Sequence, residues 1–485
     1  MKQNTIGAIL GGIAANIPEN VQSKIVTNLQ YDSRKVEAGS LFFAVKGFIV
    51  DGHKYLGAVK DAGAVAAVVQ DVHPEVDLSQ IEVIDSRKAM ALISRNFYTP
   101  EIDDLSLVGI TGTNGKTTTS FLVQSILEKT GIKTGLIGTI AYYIGPQKIN
   151  AWNTTPESVD LYNLLSQIYL NQQKAAVLEV SSHALALHRV DGMQFDEAVF
   201  TNLSRDHMDF HENEEEYFRT KAKLFSMLKP GGKAIINIDD LYGKRLSEEF
   251  NLKTITYGFD ADAQVRIENW QMNMTGMHLN INSPAGKLEI NTKLIGEFNI
   301  HNILSAVGVG IARELQLASI KLGIEAVDHI PGRLQSFEIK EGVVAVIDYA
   351  HTPDSLDKAI RTLHKVVQNR LIVVFGCGGD RDKGKRPQMG RIAETLGDIA
   401  IVTTDNPRTE KPENIIEDIL AGMSLNEKQI VISDRREAIR KAIEIAEKGD
   451  IILVAGKGHE QYQEINGVKY DFNEYAIIKD AASHA

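Results

Sequence analysis

The residues best suited to bind a phosphorylated ligand lie in a glycine- and threonine-rich loop at residues 112–118. The apolar run at residues 105–110 predicts a buried strand before this loop, and residues 117–129 predict a helix after it. Backbone N–H groups in such a loop, together with the helix N-terminus, surround phosphate oxygens. Lys116 would neutralise the terminal phosphates, and the Thr117 hydroxyl would ligate Mg²⁺. We expect phosphate contacts from Gly112, Thr113, Asn114, Gly115, Lys116, Thr117 and Thr118.

This loop departs from the commonest phosphate-binding pattern, because Ile110 stands where that pattern has its first glycine. The simplest alternative is a glycine-rich turn with no ligand, but the strand before the loop and the helix after it favour nucleotide binding. The loop alone leaves ligases, kinases and GTPase-like switches open. The sequence has no Asn-Lys-x-Asp string to read guanine, which weakens the GTPase interpretation.

The composition excludes several other classes of protein. With 485 residues, 43% of them hydrophobic, the chain is long enough for about three globular domains. The net charge of −11 argues against a nucleic-acid or anionic-membrane binder. The single cysteine, Cys377, excludes a disulfide framework, fits a reducing cytosol and is expected in a core. No apolar run approaches the ~20 residues that cross a bilayer, and the glycine-interrupted start reads as part of the first domain.

Short apolar runs that alternate with helical patterns predict an α/β fold with parallel sheets. The dipeptides Thr99-Pro100 and Pro331-Gly332 mark breaks in this pattern, so we expect domains at residues 1–99, 100–331 and 332–485. A β-rich insertion is expected at residues 265–295 of the middle domain. The other strand candidates are residues 41–45, 64–69, 175–180, 197–201, 234–238, 343–347, 371–375, 399–403 and 451–454.

The loop Gly-Thr-Asn-Gly-Lys-Thr-Thr resembles that of the Mur ligase and folylpolyglutamate synthetase superfamily. Further strings typical of that superfamily follow in the expected order over nearly the whole chain. They are Asn153-Thr154-Thr155-Pro156, Glu179-Val-Ser181-Ser182-His183, Thr201-Asn202-Leu203-Ser204-Arg205-Asp206-His207, Lys221-Ala-Lys-Leu224-Phe225, Asn299-Ile-His301-Asn302, Pro331-Gly332-Arg333 and Asp348-Tyr349-Ala350-His351-Thr352-Pro353. The resemblance implies an N-terminal α/β UDP-binding domain, a central phosphate-loop ATPase domain and a C-terminal Rossmann-like domain.

The resemblance also implies a reaction. Such ligases use ATP to phosphorylate a carboxylate, and an amine then displaces phosphate from the acyl phosphate. Cations and fixed dipoles therefore carry most of the catalysis. The residues implied in catalysis are Lys116, Glu179, His207 and Lys221; Thr117, Glu179 and His207 are the implied Mg²⁺ ligands, and Lys221 the implied carbamylated lysine. On chemistry alone His207 would be an ordinary polar residue, and Lys221 a solvated helix lysine.

The resemblance also implies which residues of this chain contact the other substrates. By resemblance Ser33, Thr154, Thr155, Ser181 and Arg189 bind a UDP-linked muramoyl dipeptide, whose oxygens suit hydroxyls and a guanidinium. Leu187 stands where relatives carry glutamine, so one substrate hydrogen bond is expected to be absent or replaced. Asn302 and Arg333 match ATP contacts. Asp348 and His351, after the first strand predicted in the last domain, are expected to close over the nucleotide.

A second cluster indicates which amino acid is added. Asp405-Asn406-Pro407-Arg408 follows a predicted strand and resembles the loop of relatives that take meso-diaminopimelate. This amino acid differs from lysine by one distal carboxylate, for which Arg408 offers a bidentate partner. An arginine there would also repel the ammonium of lysine. The residues implied for this site are Arg381, Asp405, Asn406, Pro407, Arg408, Gly456 and Glu460.

The expected protein is therefore a cytoplasmic, monomeric, ATP- and Mg²⁺-dependent ligase of peptidoglycan precursor synthesis. Its expected partners are a UDP-N-acetylmuramoyl dipeptide, meso-diaminopimelate and ATP, with no nucleic acid and no membrane. Three alternatives stay open: the same ligase adding L-lysine, a folylpolyglutamate-type ligase, and a nucleotide-binding protein without catalysis. Because ATP and the amine are expected on different domains, domain closure is an expected step.

Overall fold

The computed structural model describes residues 4–48, 50–99, 102–204, 206, 210–250, 252–424 and 428–483. The chain forms two compact units. The first comprises Met1–Val265 and Leu304–Ile320, and the second comprises Arg266–Ile303 and Lys321–Ala485. Among the described residues, none of the helices combines the length and apolar character that a bilayer crossing requires.

The first unit begins with a small, mostly parallel sheet. Its strands are β1 (Ala15–Asn16), β2 (Asn28–Gln30), β3 (Ser40–Phe43), β4 (Ala66–Val69) and β5 (Gln80–Val83). They lie in the order β1-β5-β4-β3-β2, and only β1 runs antiparallel to its neighbour. The helices of this region are α1 (Ile6–Ile9), α2 (Leu56–Asp61) and α3 (Ser86–Tyr98), with 3₁₀ turns at Glu19–Val21, Ser33–Lys35 and Gly52–Tyr55.

A larger sheet follows in the same unit. Its strands are β6 (Ser106–Thr111), β7 (Thr134–Ile137), β8 (Ala141–Ile144), β9 (Gln147–Asn150), β10 (Ala175–Glu179), β11 (Phe195–Phe200), β12 (Leu228–Asn237) and β13 (Thr254–Gly258). Within this unit the strand order is β13-β12-β11-β6-β10-β7-β8-β9. The helices are α4 (Lys116–Lys129), α5 (Ser158–Leu170), α6 (Ser182–Ala186), α7 (Glu214–Ser226) and α8 (Leu241–Glu249).

The position of β6 in this sheet determines where a ligand can bind. It pairs in parallel with β10 on one side and with β11 on the other. The loops that leave these strands therefore diverge at their carboxyl ends, which is where open α/β sheets bind ligands. Residues 112–115 form the loop that leaves β6, and residues 116–118 are the start of α4, as the sequence predicts within a residue.

The second unit contains an antiparallel meander and a further, mostly parallel sheet with one antiparallel edge strand. The meander is β14 (Val265–Asn273), β15 (Gly276–Ser283) and β16 (Gly286–Thr292). The next helices along the chain are α9 (Phe298–Ala312) and α10 (Leu317–Glu325), and residues 304–320 of this stretch belong to the first unit. The sheet order is β17-β18-β22-β19-β20-β21, formed by β17 (Gln335–Lys340), β18 (Val343–Asp348), β19 (Leu371–Phe375), β20 (Ile399–Val402), β21 (Gln429–Val431) and β22 (Ile451–Ala455).

Helices and a hairpin complete this unit. They are α11 (Pro353–His364), α12 (Lys385–Leu396), α13 (Pro412–Leu420), α14 (Arg435–Ile445), α15 (Glu474–Ser483), β23 (Tyr462–Ile465) and β24 (Val468–Asp471). Every residue of β19 and β22 is buried. Strands buried on both faces need continuous apolar sequence, which explains the runs Leu-Ile-Val-Val-Phe and Ile-Ile-Leu-Val-Ala.

The α/β class, the phosphate loop between a strand and a helix, and the β-rich insertion are confirmed. Cys377 is buried as predicted, and burial raises the pKa of its thiol to about 12. One expectation is wrong: β17 precedes β18, so Asp348 ends the second strand of its sheet and not the first. The sequence hides β17 because it is only partly buried and lacks a long apolar run. The domain boundaries at residues 99/100 and 331/332 stay predictions.

Candidate functional site

Two glycines shape the loop at residues 112–118, which we call the phosphate loop. Gly115 has a φ of 86° and Gly112 a φ of 145°, values that favour glycine. A Cβ on Gly112 would lie 1.9 Å from Thr201 Oγ1. The backbone N–H of Thr113 donates to Asn202 O at 2.8 Å, and that of Asn114 donates to Asn202 Oδ1 at 3.0 Å. The end of β11 therefore holds the loop in place.

Two lysine side chains meet at one carbonyl of the phosphate loop. Lys116 Nζ donates to the backbone oxygens of Gly112 at 2.8 Å and Thr113 at 2.9 Å. Lys221 Nζ, on α7, donates to the same Gly112 oxygen at 2.9 Å. The two amines therefore lie side by side at the phosphate loop, where the charge of Lys116 would stabilise phosphate oxygens.

The environment of Lys221 suits the modification that the resemblance implies. Its side chain is 1% exposed. Burial lowers the pKa of this amine well below its ordinary value, and the nearby charge of Lys116 lowers it further. A deprotonated amine is nucleophilic and can add to carbon dioxide. The exposed neighbour Lys223 lacks this burial.

The carboxylate of Glu179 is fully buried at the end of β10, beside the phosphate loop. Thr117 Oγ1 donates to its Oε2 at 2.9 Å. Thr139 donates twice: its N–H to Oε1 at 2.9 Å and its hydroxyl to Oε2 at 2.9 Å. A Cβ on Gly138 would lie 2.3 Å from Oε1, so this glycine leaves room for the carboxylate.

This pair of oxygen donors fits Mg²⁺. Within the described ranges no three His, Cys, Asp or Glu side chains gather into a metal cluster. Mg²⁺ does not require one, because it usually takes one or two protein oxygens, substrate phosphates and water. Thr117 and Glu179 supply two such oxygens beside the loop. The third predicted ligand, His207, lies outside the described residues.

The residues predicted to bind the dipeptide substrate lie close to Glu179. Thr155 Oγ1 donates to Glu179 O at 2.8 Å and receives the N–H of Ser181 at 3.1 Å. Thr154 Oγ1 lies 3.1 Å from Thr139 Oγ1. Arg189 Nη1 donates to Thr155 O at 2.9 Å. The structure thus brings Thr154, Thr155, Ser181 and Arg189 together.

Arg189 carries a partner that the sequence did not indicate. Its Nη2 lies 2.8 Å from Glu157 Oε1, and Arg87 contacts the same carboxylate at 3.1 Å.

The last residue predicted to bind the dipeptide substrate, Ser33, lies in the N-terminal sheet region. Ser33 opens a 3₁₀ turn next to Tyr31, whose hydroxyl donates to Asp160 Oδ2 at 2.6 Å.

Leu187 is the C-cap residue of α6 and is half-buried. Its apolar side chain offers no hydrogen bond, so the substrate contact expected from a glutamine at this position is absent from Leu187 itself.

In the second unit, the residues predicted to contact ATP form local pairs. Asn302 Nδ2 donates to Asn299 Oδ1 at 2.8 Å. The Arg333 guanidinium lies over the ring of Tyr349, 5.4 Å from its centroid.

Asp348 accepts the N–H of Leu334 at 2.7 Å, and burial raises the pKa of its carboxyl. His351 Nδ1 donates to Tyr349 O at 2.7 Å, and burial lowers the pKa of its imidazole.

The predicted amino-acid site is a connected cluster at the carboxyl ends of β20 and β22. Asn406 Nδ2 donates to Glu460 Oε2 at 2.8 Å. Arg408, with a φ of 51°, donates from Nη1 to Gly379 O at 2.7 Å and lies 3.3 Å from Glu464. A Cβ on Gly456 would lie 2.4 Å from Asp405 Oδ2.

Arg381 is exposed, and its stem lies near Gly378, as does the Arg408 guanidinium. A Cβ on Gly378 would lie 3.8 Å from Arg381 Cγ and 3.0 Å from Arg408 Nη1. The Arg408 guanidinium and the stem of Arg381 therefore lie near the same glycine, and a guanidinium is the side-chain group that matches a carboxylate bidentately.

Sequence reasoning missed several residues that support these sites. The most prominent are Thr139, Glu157, Arg386 and Lys457. Buried Arg386 joins the two loops of the amino-acid site, because Nη2 donates to Glu410 Oε1 at 2.7 Å and to Gly378 O at 3.3 Å. Lys457 lies inside the string Gly-Lys-Gly-His-Glu, but its neighbours in sequence do not reveal that its side chain is fully buried.

Three sequence models of one family match the chain. The Mur ligase family catalytic domain matches residues 25–98, the Mur ligase middle domain residues 110–310, and the Mur ligase glutamate ligase domain residues 332–458. These segments agree with the predicted three-part organisation.

Proteins similar to this chain over nearly its whole length include diaminopimelate-adding ligases of two organisms and of one solved structure. A UDP-N-acetylmuramoyl-L-alanyl-D-glutamate–2,6-diaminopimelate ligase of Clostridium botulinum is 43% identical over 470 residues, covering 96% of each chain. The ligase of the same name from Clostridium perfringens is 42% identical over 481 residues, covering 98% of each. A solved structure of a ligase of that name is 32% identical, with a TM-score of 0.74 and coverage of 100% of this chain and 99% of that one.

Proposed function

Because this chain belongs to the Mur ligase family, we propose that it joins meso-diaminopimelate to UDP-N-acetylmuramoyl-L-alanyl-D-glutamate with ATP. The products are the UDP-linked tripeptide, ADP and phosphate. The observation that supports the choice of amino acid is that one loop carries both Arg408 and Asn406, whose Nδ2 donates to Glu460 Oε2 at 2.8 Å. Guanidinium groups suit the distal carboxylate of diaminopimelate, and a carboxylate suits its distal ammonium.

The reaction begins at the phosphate loop. The γ-phosphoryl group passes from ATP to the D-glutamyl side-chain carboxylate, which breaks one P–O bond and forms another. Lys116 stabilises the negative charge that develops on the phosphoryl oxygens. Mg²⁺, held by Thr117 and Glu179, would supply further positive charge there.

The second step forms the amide. The free amine attacks the carbonyl carbon of the acyl phosphate, and phosphate leaves from the tetrahedral intermediate while the amine loses a proton. Thr154, Thr155, Ser181 and Arg189 hold the dipeptide in place. Proximity of this kind accounts for a large share of the rate of such condensations.

Carbamylated Lys221 would be an anion in the same region. Because the amine is buried and its pKa is depressed, it is suited to form the carbamate. The negative charge would then balance Lys116 and Mg²⁺ beside it. We further propose that the chain works in the cytoplasm as a monomer, which sedimentation equilibrium can test.

An amino-acid panel tests the proposal. The purified chain is incubated with ATP, Mg²⁺, the UDP-dipeptide and either meso-diaminopimelate, L-lysine or no amino acid. Phosphate release and the mass of the UDP-linked product are followed. We expect phosphate release and the tripeptide mass with meso-diaminopimelate, and neither with L-lysine. Lysine has no distal carboxylate for Arg408 to bind, and its distal ammonium is repelled by the guanidinium. Equal release with lysine would contradict the assignment.

A further inference from the structure

The ammonium of Lys457 is fully buried beneath the predicted amino-acid site. Its Nζ donates to Asn406 Oδ1 at 2.7 Å and to Tyr462 O at 2.8 Å. It also lies 3.8 Å from Asp405 Oδ1. A buried ammonium costs free energy unless several partners surround it, and these three oxygens surround this one.

This contact determines the orientation of the Asn406 amide. Asn406 Oδ1 accepts from Lys457 Nζ and from the backbone N–H of Glu464 at 3.0 Å. Both neighbours are donors only, so the atom between them must be the amide oxygen. The amide nitrogen therefore faces the other way and donates to Glu460 Oε2 at 2.8 Å.

A continuous series of hydrogen bonds thus runs from Lys457 through Asn406 to Glu460. Hydrogen bonds in such a series polarise one another, and a cation at its start strengthens the donor at its end. Each member of the series is buried or half-buried, so water does not screen it strongly.

We propose that Lys457 is a positioning residue for amino-acid selection: through Asn406 it holds Glu460 ionised and directed at the distal ammonium of the incoming amino acid. This inference rests on the proposed function of the site. Lys457 itself does not touch the amino acid.

The charges around Glu460 determine the sign of the effect. Burial raises the pKa of Glu460, whereas the Asn406 hydrogen bond, Lys457 and Arg408 lower it. Asp405 raises it as well, and the buried Arg435 and Tyr349 also interact with this carboxylate. Loss of the Lys457 charge therefore raises the pKa of Glu460, and the acidic limb of kcat/KM for the amino acid moves to higher pH.

The test compares two variants with one control. Lys457→Met removes the charge and the hydrogen bonds at similar volume, and Lys457→Gln keeps a neutral donor. The control is Lys358→Met, an exposed lysine paired with Asp354 on α11. Thermal melting shows which proteins are folded.

We expect Lys457→Met to raise KM for meso-diaminopimelate by roughly tenfold or more, the effect of one charge-assisted hydrogen bond. KM for ATP stays unchanged, and the acidic limb moves to higher pH. Lys457→Gln recovers part of the loss, whereas Lys358→Met behaves as the unaltered chain.

Three outcomes would overturn the inference. The first is a folded Lys457→Met protein with unchanged KM and pH profile. The second is an equal loss for ATP and amino acid. The third is that neither variant folds, since the lysine would then be a structural residue. An unaltered chain that is inactive with meso-diaminopimelate would instead reject the proposed function itself.

Discussion

Thr117 Oγ1 lies 2.9 Å from Glu179 Oε2, which joins the first turn of the phosphate-loop helix to the end of the neighbouring parallel strand. The two residues are far apart in sequence, and neither of their motifs predicts that the two side chains are in contact. The strand order β11-β6-β10 brings them together, because the loop after β6 and the end of β10 share one edge of the sheet. A phosphate on the loop and a cation on the carboxylate would therefore be neighbours.

Thr139 is expected to couple this carboxylate to the substrate residues. Its single hydroxyl proton goes to Glu179 Oε2, so Thr154 must be the donor in the contact of 3.1 Å between their hydroxyls. We expect Thr139→Val to lower the free energy of unfolding by about 1–3 kcal/mol. We also expect a higher Mg²⁺ concentration for half-maximal activity.

Thr139→Ser is the matched control, since it keeps the hydroxyl. Urea unfolding and initial rates over a Mg²⁺ series measure both effects. Normal Mg²⁺ dependence in a folded Thr139→Val protein would show that the two threonines act independently.

Lys116→Ala is expected to abolish ATP-dependent phosphate release, because no other cation in the first turn of α4 can replace it. Lys129→Ala, an exposed lysine at the other end of the same helix, should keep full activity. Coupled assays of phosphate release with both variants provide the measurement. Full activity of the Lys116→Ala variant would show that the phosphate loop is not part of the catalytic site.

The buried amine of Lys221 predicts a particular pH dependence of stability. The pKa of this amine is lower in the folded chain than in the unfolded chain. At pH values between these two pKa values, the amine is therefore neutral in the folded chain and protonated in the unfolded chain. The free energy of unfolding therefore rises with pH through this range. Lys221→Met removes this contribution, and its stability should rise less between about pH 7 and about pH 9.

Urea unfolding in buffers free of carbon dioxide measures the difference. The exposed Lys223→Met is the control and should follow the unaltered chain. Identical pH dependence in all three proteins would show that Lys221 is solvated and not buried.

Arg408→Ala is expected to raise KM for meso-diaminopimelate by roughly tenfold to a hundredfold, since one bidentate partner of a carboxylate is lost. KM for ATP should not change. Arg391→Ala, an exposed arginine on α12, is the control. Steady-state kinetics with each substrate varied in turn separate these effects, and a matching rise for ATP would assign Arg408 a structural role.

The sequence determined the local parts of this protein. A strand, a glycine-rich loop and a helix follow from the apolar run at residues 105–110 and the pattern after it, because backbone preferences and hydrophobic periodicity act over a few residues. The motif residues Glu179, Lys221 and Arg408 were found by the resemblance of their surrounding strings to those of the Mur ligase superfamily, and Lys116 by its place in the glycine-rich loop as well. Their roles as site residues stay predictions that the variants above can test.

Only the tertiary structure decided which of these residues touch. The meeting of Lys116 and Lys221 at one carbonyl, and the burial of Lys457 under Asn406, depend on strand order and on loops distant in sequence. Burial also changes chemistry: the charge of a lysine amine depends on how much water surrounds it. The spacing of residues along the chain does not predict how much water surrounds a lysine, because side chains from segments distant in sequence exclude that water.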